Sequence, residues 1–142
     1  MALACALIGV MATACGSTAE RDKSAADIAN AVRDVQTAMK DETAAVKAGD
    51  ARAEVENVQL IAQVQHERLV KLAQRAPTET QDFADAAEAW TRAVETSRTA
   101  VLEQAGEDTS TAAMLNVRLS AKSMDAEAAD LHIDPWLKLD QY

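Results

Sequence analysis

Val46-Lys47-Ala48-Gly49-Asp50-Ala51-Arg52 is the stretch on which the fold turns. Ahead of it, Ile28, Val32, Val35, Met39 and Val46 recur at spacings of four, three, four and seven, a heptad seam with Glu42 at the skipped position. Continued through Gly49 at the same phase, the seam would hold Gly49, Ala53, Glu56, Leu60, Gln63 and Glu67, which is no core. Behind Gly49 a new phase starts: Val55, Val58, Ala62, Gln65, Leu69, Leu72 and Ala76. The phase break predicts a turn here, with Gly49 just past one helix and Asp50 as N-cap of the next.

The same reasoning extends outward in both directions. Ser24, with Asp27 three residues on, is the expected start of the first helix. Pro77 ends the second, because the residue before a proline avoids the α region. Thr78 and Gln81 have the spacing of a capping box for the third, whose seam is Phe83, Ala87, Trp90, Val94, Ser97 and Val101. Gly106 is expected to close it. Asp108 or Thr109 then opens the fourth, which places Met114, Val117, Ala121, Met124, Ala128 and Leu131 on one face, and Asp134-Pro135 stops it. Helices of similar length joined by short loops predict an all-α fold, an antiparallel up-down four-helix bundle after an N-terminal signal segment. Trp90 is expected at the centre of its core.

Composition supports this. Of 142 residues, 32 are alanine and only six are Gly or Pro, so turn chemistry for a sheet is scarce. The formal charge of −9 argues against nucleic acid, whose phosphates need clustered Lys and Arg, and against docking on anionic lipid through charge alone.

The first fifteen residues read differently. An uncharged apolar run, Ala2 to Met11, leads to Ala12-Thr13-Ala14 and then Cys15, with Gly16-Ser17-Thr18 after it. An apolar stretch of 7–15 residues followed by small residues is what a signal peptidase accepts. The segment resembles the signal of bacterial lipoproteins, with Ala12 where Leu is usual in the box before the cysteine. The resemblance implies removal of residues 1–14, lipidation of the Cys15 thiol, a linker over residues 15–23, and a helical bundle with a C-terminal tail over residues 24–142. It also implies a location in the cell envelope, on the outer face of the bacterial membrane. Nothing from Met1 to Ala19 is charged, so an in-frame start upstream of Met1 is the expectation for a basic n-region. Two other readings fit the same residues: plain secretion with cleavage before Cys15, and an apolar helix packed on the domain. Cys5 lies in the leader, which leaves Cys15 alone in the mature chain and no internal disulfide.

Tests for chemistry are negative. A di-metal bundle site needs Glu-x-x-His, but Gln63 and Ala129 stand three residues before His66 and His132. His66-Glu67 lacks the second histidine of H-E-x-x-H. Asp130-Leu131-His132-Ile133-Asp134 gathers two carboxylates and an imidazole at a helix end, where such groups are usually solvated. No nucleophile, base and orienting group come together in sequence. No catalytic residue, metal or cofactor is therefore expected, and Met39, Met114 and Met124 fall on seams as core residues. Gln65, inside a seam, is either an edge residue reaching water or a buried polar residue that sets register. His66 beside it is expected to be half exposed. The segment Asp134 to Tyr142 holds Trp136 and Tyr142, either as a tail folded over the open end of the bundle or as a partner-binding segment. The expected role is a membrane-anchored structural or protein-interaction module, with binding of an apolar small molecule between the helices as the alternative.

Overall fold

The computed structural model describes residues 11–49 and 51–133, with side chains from Thr18 onward. It contains four helices: α1 (Met11–Ala48), α2 (Arg52–Ala73), α3 (Thr78–Leu102) and α4 (Glu107–Asp130), and no strand among the described residues. Consecutive helices pack against each other as an antiparallel up-down bundle. The cross-section is uneven. Helices α1, α2 and α3 all touch one another, whereas α4 packs on α3. Among the described residues, no Cα of α4 lies within 8 Å of a Cα of α1 or α2.

The core follows the seams. Ile28, Val32, Val35 and Met39 from α1 meet Val58, Ala62 and Leu69 from α2, Phe83, Ala87, Trp90 and Val94 from α3, and Val117, Ala121, Met124 and Ala128 from α4. Trp90 is 1% exposed and is the largest fully buried side chain. Alanines on the seams of α2, α3 and α4, and beside that of α1, keep the helices close, at the cost of apolar area per residue.

Several expectations about helix ends are corrected. Helix α1 does not begin at Ser24: the backbone of residues 15–23 is already helical. Ala19 to Lys23 contain no helix breaker, and extending an existing helix adds one hydrogen bond per residue fixed. Ser24 instead marks where α1 enters the bundle: residues 18–23 are exposed, and the Ser24 hydroxyl bonds the Thr80 hydroxyl at 3.0 Å. Thr78 is the first helical residue of α3 and makes no capping box; Pro77 precedes it with φ −57° and ψ 153°, and no side chain caps the end. Gln81 bonds Asp85 instead.

Gly106 does not close α3. The chain turns at Gln104, with φ 54°, where the amide of Gln104 bonds Val101 O and that of Ala105 bonds Ala100 O. This is the paired pattern of a Schellman stop. Gly106 precedes α4, so that helix opens at Glu107, earlier than Asp108 or Thr109. His132, with φ 58°, stops α4 in the same way as Gln104 stops α3: its amide bonds Ala129 O, and that of Ile133 bonds Ala128 O. Gly49 does what the sequence predicts, taking φ 87° directly after α1. Asp50, Asp134 and Pro135 lie outside the described residues, and Ala51 is the residue flanking the start of α2.

Two large seam residues are exposed. Val46 and Val101 are 54% and 48% exposed. Both lie at the end of the bundle where α1 and α3 finish. The first large core residue of α2 is Val55, and the first buried residue of α4 is Ala113, so the last turns of α1 and α3 have little apolar surface opposite them.

Candidate functional site

Below those exposed valines the core ends in a charged layer. Glu42 holds the heptad position that Val46 would otherwise continue, and its carboxylate is carried inward with the seam. Arg98 sits beside Ser97, the last buried seam residue of α3. Arg98 Nε and Nη2 both donate to Glu42 Oε2, at 3.0 and 2.7 Å. Arg98 Nη1 donates to Ser97 Oγ at 3.3 Å, and the Ser97 hydroxyl donates to Met114 Sδ on α4 at 3.1 Å. Both ion-pair side chains are about nine-tenths buried. One short chain of polar contacts thus joins α1, α3 and α4, and it bridges α1 and α4 where their backbones stay apart. Met114 is only partly buried, because its sulfur serves this layer at the edge of the core.

A second cluster ties α2 to α3. Glu88 and Glu95 are two turns apart on one face of α3, and His66 of α2 lies between them. His66 Nε2 is 3.2 Å from Glu88 Oε1, and His66 Nδ1 is 3.5 Å from Glu95 Oε2. Arg92, one turn beyond Glu88, pairs with the same Glu88 oxygen. The His66 side chain is 21% exposed, less than the half expected for an edge residue. The two carboxylates approach different ring nitrogens, so their lone pairs do not converge on one point. Among the described residues no group of three or more His, Cys, Asp or Glu is placed to hold a metal ion. The arrangement clamps two helices. Glu88, Arg92 and Glu95 at i, i+4 and i+7 were a legible stripe, but their partner on another helix was not.

Gln65 takes a position between its two expected roles. Its Nε2 donates to Asp34 Oδ2 on α1 at 3.1 Å, at an exposed edge, while its Oε1 is buried and has no hydrogen-bond partner among the described residues. His132 is exposed and acts in the backbone turn after α4. Of the lipidation candidate, Cys15, the backbone is part of α1 and the side chain is outside the description. Trp136 and Tyr142 lie outside the described residues.

No protein-family model, curated protein or solved structure matches the chain.

What remains is the surface. Two half-open grooves run along α4. The first, about 370 Å³, lies between α3 and α4 and is lined by Ala89, Ala93, Thr96, Ala113, Asn116 and Leu119, with Arg92 and Ser120 at its edge. The second, about 320 Å³, lies between α1 and the end of α4; Ala25, Ala26 and Ala29 face Leu131 and Ile133, with Asp22, Asn30 and Arg33 along the rim. Two apolar pairs stand in solvent one helical turn apart: Leu60 with Val64 on α2, and Leu115 with Leu119 on α4. Among the described residues no helix is long and apolar enough to cross a membrane.

Proposed function

We propose that the chain is an extracytoplasmic lipoprotein, held through Cys15 on the outer face of a bacterial membrane, whose bundle serves as a structural or protein-interaction module. The observation that carries the anchoring is the order apolar run, Ala12-Thr13-Ala14, Cys15 at the head of the chain. The observation that favours interaction is the pair of exposed apolar ridges, Leu60/Val64 and Leu115/Leu119, on a surface otherwise rich in charge. Scattered apolar residues on a surface are ordinary, whereas i, i+4 pairs on two helices are the geometry by which one helix grips another. Acidic charge keeps such a domain off anionic lipid, so covalent acylation would set its place.

Mass spectrometry of the mature N-terminus, with membrane fractionation of the native chain and of Cys15→Ser, tests the anchor. A diacylglyceryl mass on Cys15 and release of the variant from the membrane are expected; an intact Met1 or an unmodified Cys15 refutes it. Chemical cross-linking in cells tests the module: Leu60→Ser with Leu119→Ser should abolish adducts that the unaltered bundle forms.

The groove between α3 and α4 supports a second reading, capture of an apolar small molecule, since its size falls within the range of ligand sites. A thermal-shift panel separates the two, because a ligand that binds only the folded state raises the melting temperature.

A further inference from the structure

A methionine side chain is apolar apart from its thioether sulfur, which accepts hydrogen bonds weakly. Oxidants convert that thioether to a sulfoxide, which is polar. Among the described side chains Met39 and Met124 are each 2% exposed, whereas Met114 is partly buried at the edge of the core. A small polar oxidant therefore reaches Met114 first. Inside an apolar core the new oxygen would be unsatisfied and costly. Met114 is placed differently. The Ser97 hydroxyl donates to Met114 Sδ at 3.1 Å, and Arg98 Nη1 lies 3.8 Å from the same sulfur.

The bonding of Arg98 makes this more than an accessible sulfur. Arg98 Nε and Nη2 both donate to Glu42, and Nη1 donates to Ser97 Oγ at 3.3 Å. The second N–H of Nη1 is left with the sulfur alone. A guanidinium is a pure donor, and this one is about nine-tenths buried. A desolvated cationic donor is thus spent on a weak acceptor. An oxygen bonded to Sδ on the side of these donors stands one bond length nearer to Nη1. It brings that N–H into ordinary hydrogen-bond range, and charge assistance strengthens the contact.

We propose that Met114 is a modification site: hydrogen peroxide oxidises its thioether, and Ser97 and Arg98 of α3 receive the sulfoxide oxygen. A lone pair of Sδ attacks one peroxide oxygen, and the S–O bond forms as the O–O bond breaks. The proton on the transferred oxygen passes to the departing hydroxide, which leaves as water. Sulfur gives up two electrons and peroxide takes them. Both receiving groups belong to α3, the helix whose backbone α4 approaches. Oxidation therefore adds a polar tie between α4 and its support and leaves the Glu42–Arg98 pair in place. The inference is independent of any lipid on Cys15.

Dilute hydrogen peroxide on the folded full-length chain, followed by tryptic peptide mass spectrometry and thermal melts, tests it. Met39, Met114 and Met124 fall in separate tryptic peptides. The Met114 peptide should gain one oxygen several-fold faster than the other two. The melting temperature should stay within about 2 °C of the untreated chain. Met114→Leu, treated identically, subtracts the effect of oxygen added elsewhere. Glu42→Leu with Arg98→Met removes the guanidinium without stranding its carboxylate, and oxidation should then lower the melting temperature by several degrees. Ser97→Ala, which removes the other donor, should shift it in the same direction and serves should the double variant not fold. Equal oxidation of the three peptides overturns the proposal. So does a fall of several degrees on oxidation of the unaltered chain, which would mean that the oxygen finds no donor. Variants that bear oxidation as well as the unaltered chain overturn the assignment of the receiving groups.

Discussion

Glu42→Leu leaves a guanidinium buried between three helices without its carboxylate. In the native bundle Arg98 Nε and Nη2 share Glu42 Oε2 at 3.0 and 2.7 Å, and Nη1 is left with two neutral partners, Ser97 Oγ and Met114 Sδ. Removing one side of a buried pair costs about 3–5 kcal/mol, because the remaining charge stays desolvated. Set against the roughly 5–15 kcal/mol that holds a domain folded, that is a large share. With an m value near 1.5–2 kcal/mol/M in urea, the midpoint of unfolding should fall by about 2 M. Arg98→Met should cost a similar amount by stranding Glu42. The double variant should lie within about 1 kcal/mol of the unaltered protein, since an apolar pair of similar bulk often replaces a buried ion pair without loss. Urea titrations followed at 222 nm for all four proteins complete the cycle, and the coupling should reach or exceed about 3 kcal/mol. Single variants that lose less than about 1 kcal/mol, the value of a solvated pair, would refute the reasoning. A double variant as unstable as either single one would do the same.

Three further substitutions probe the turns and the polar contacts. Gly49→Ala meets no atom within 4 Å, so its expected loss of about 1–2 kcal/mol in chemical denaturation comes from backbone strain alone. Gln104→Gly should stabilise by about 0.5–1 kcal/mol, raising the melting temperature by a few degrees in calorimetry, because glycine takes the left-handed conformation there without the Cβ penalty. Thr91 and Thr80 are equally buried but differ in their partners: Thr91 bonds only Ala87 O of its own helix, and Thr80 also holds Ser24. Thr91→Val is therefore expected to be neutral within about 0.5 kcal/mol, and Thr80→Val to cost about 1 kcal/mol or more by leaving the Ser24 hydroxyl unsatisfied; equal melting temperatures for the two would contradict this.

Heptad spacing made the seams, the four helices and the break at Gly49 readable, because which face of a helix is buried depends on residues a few positions apart. Helix ends were less readable. Gly106 and the Thr78/Gln81 pair carried the local signals of a stop and a cap, yet Gln104 and Pro77 hold those positions, since packing of the neighbouring helices decides where the chain must turn. Ser24 and Asp27 carry the spacing of a helix start just ahead of the seam, but a helix can run on past its last core contact. The polar clusters were the least legible. Glu42 stood out as a charge on a seam, but Arg98 is 56 residues away, and only the lateral register of α1 on α3 brings them together. His66 depends in the same way on the register of α2 on α3.

The uneven cross-section has a consequence for local unfolding. Three helices form a closed set, and the backbone of the fourth comes close to one of them alone. Opening of α4 would expose chiefly the α3 face it covers and leave the contacts among the other three in place. Amide protons in the middle of α4 should therefore exchange with deuterium sooner than those around Val58 and Trp90, by a partial opening that reports less than the full free energy of unfolding.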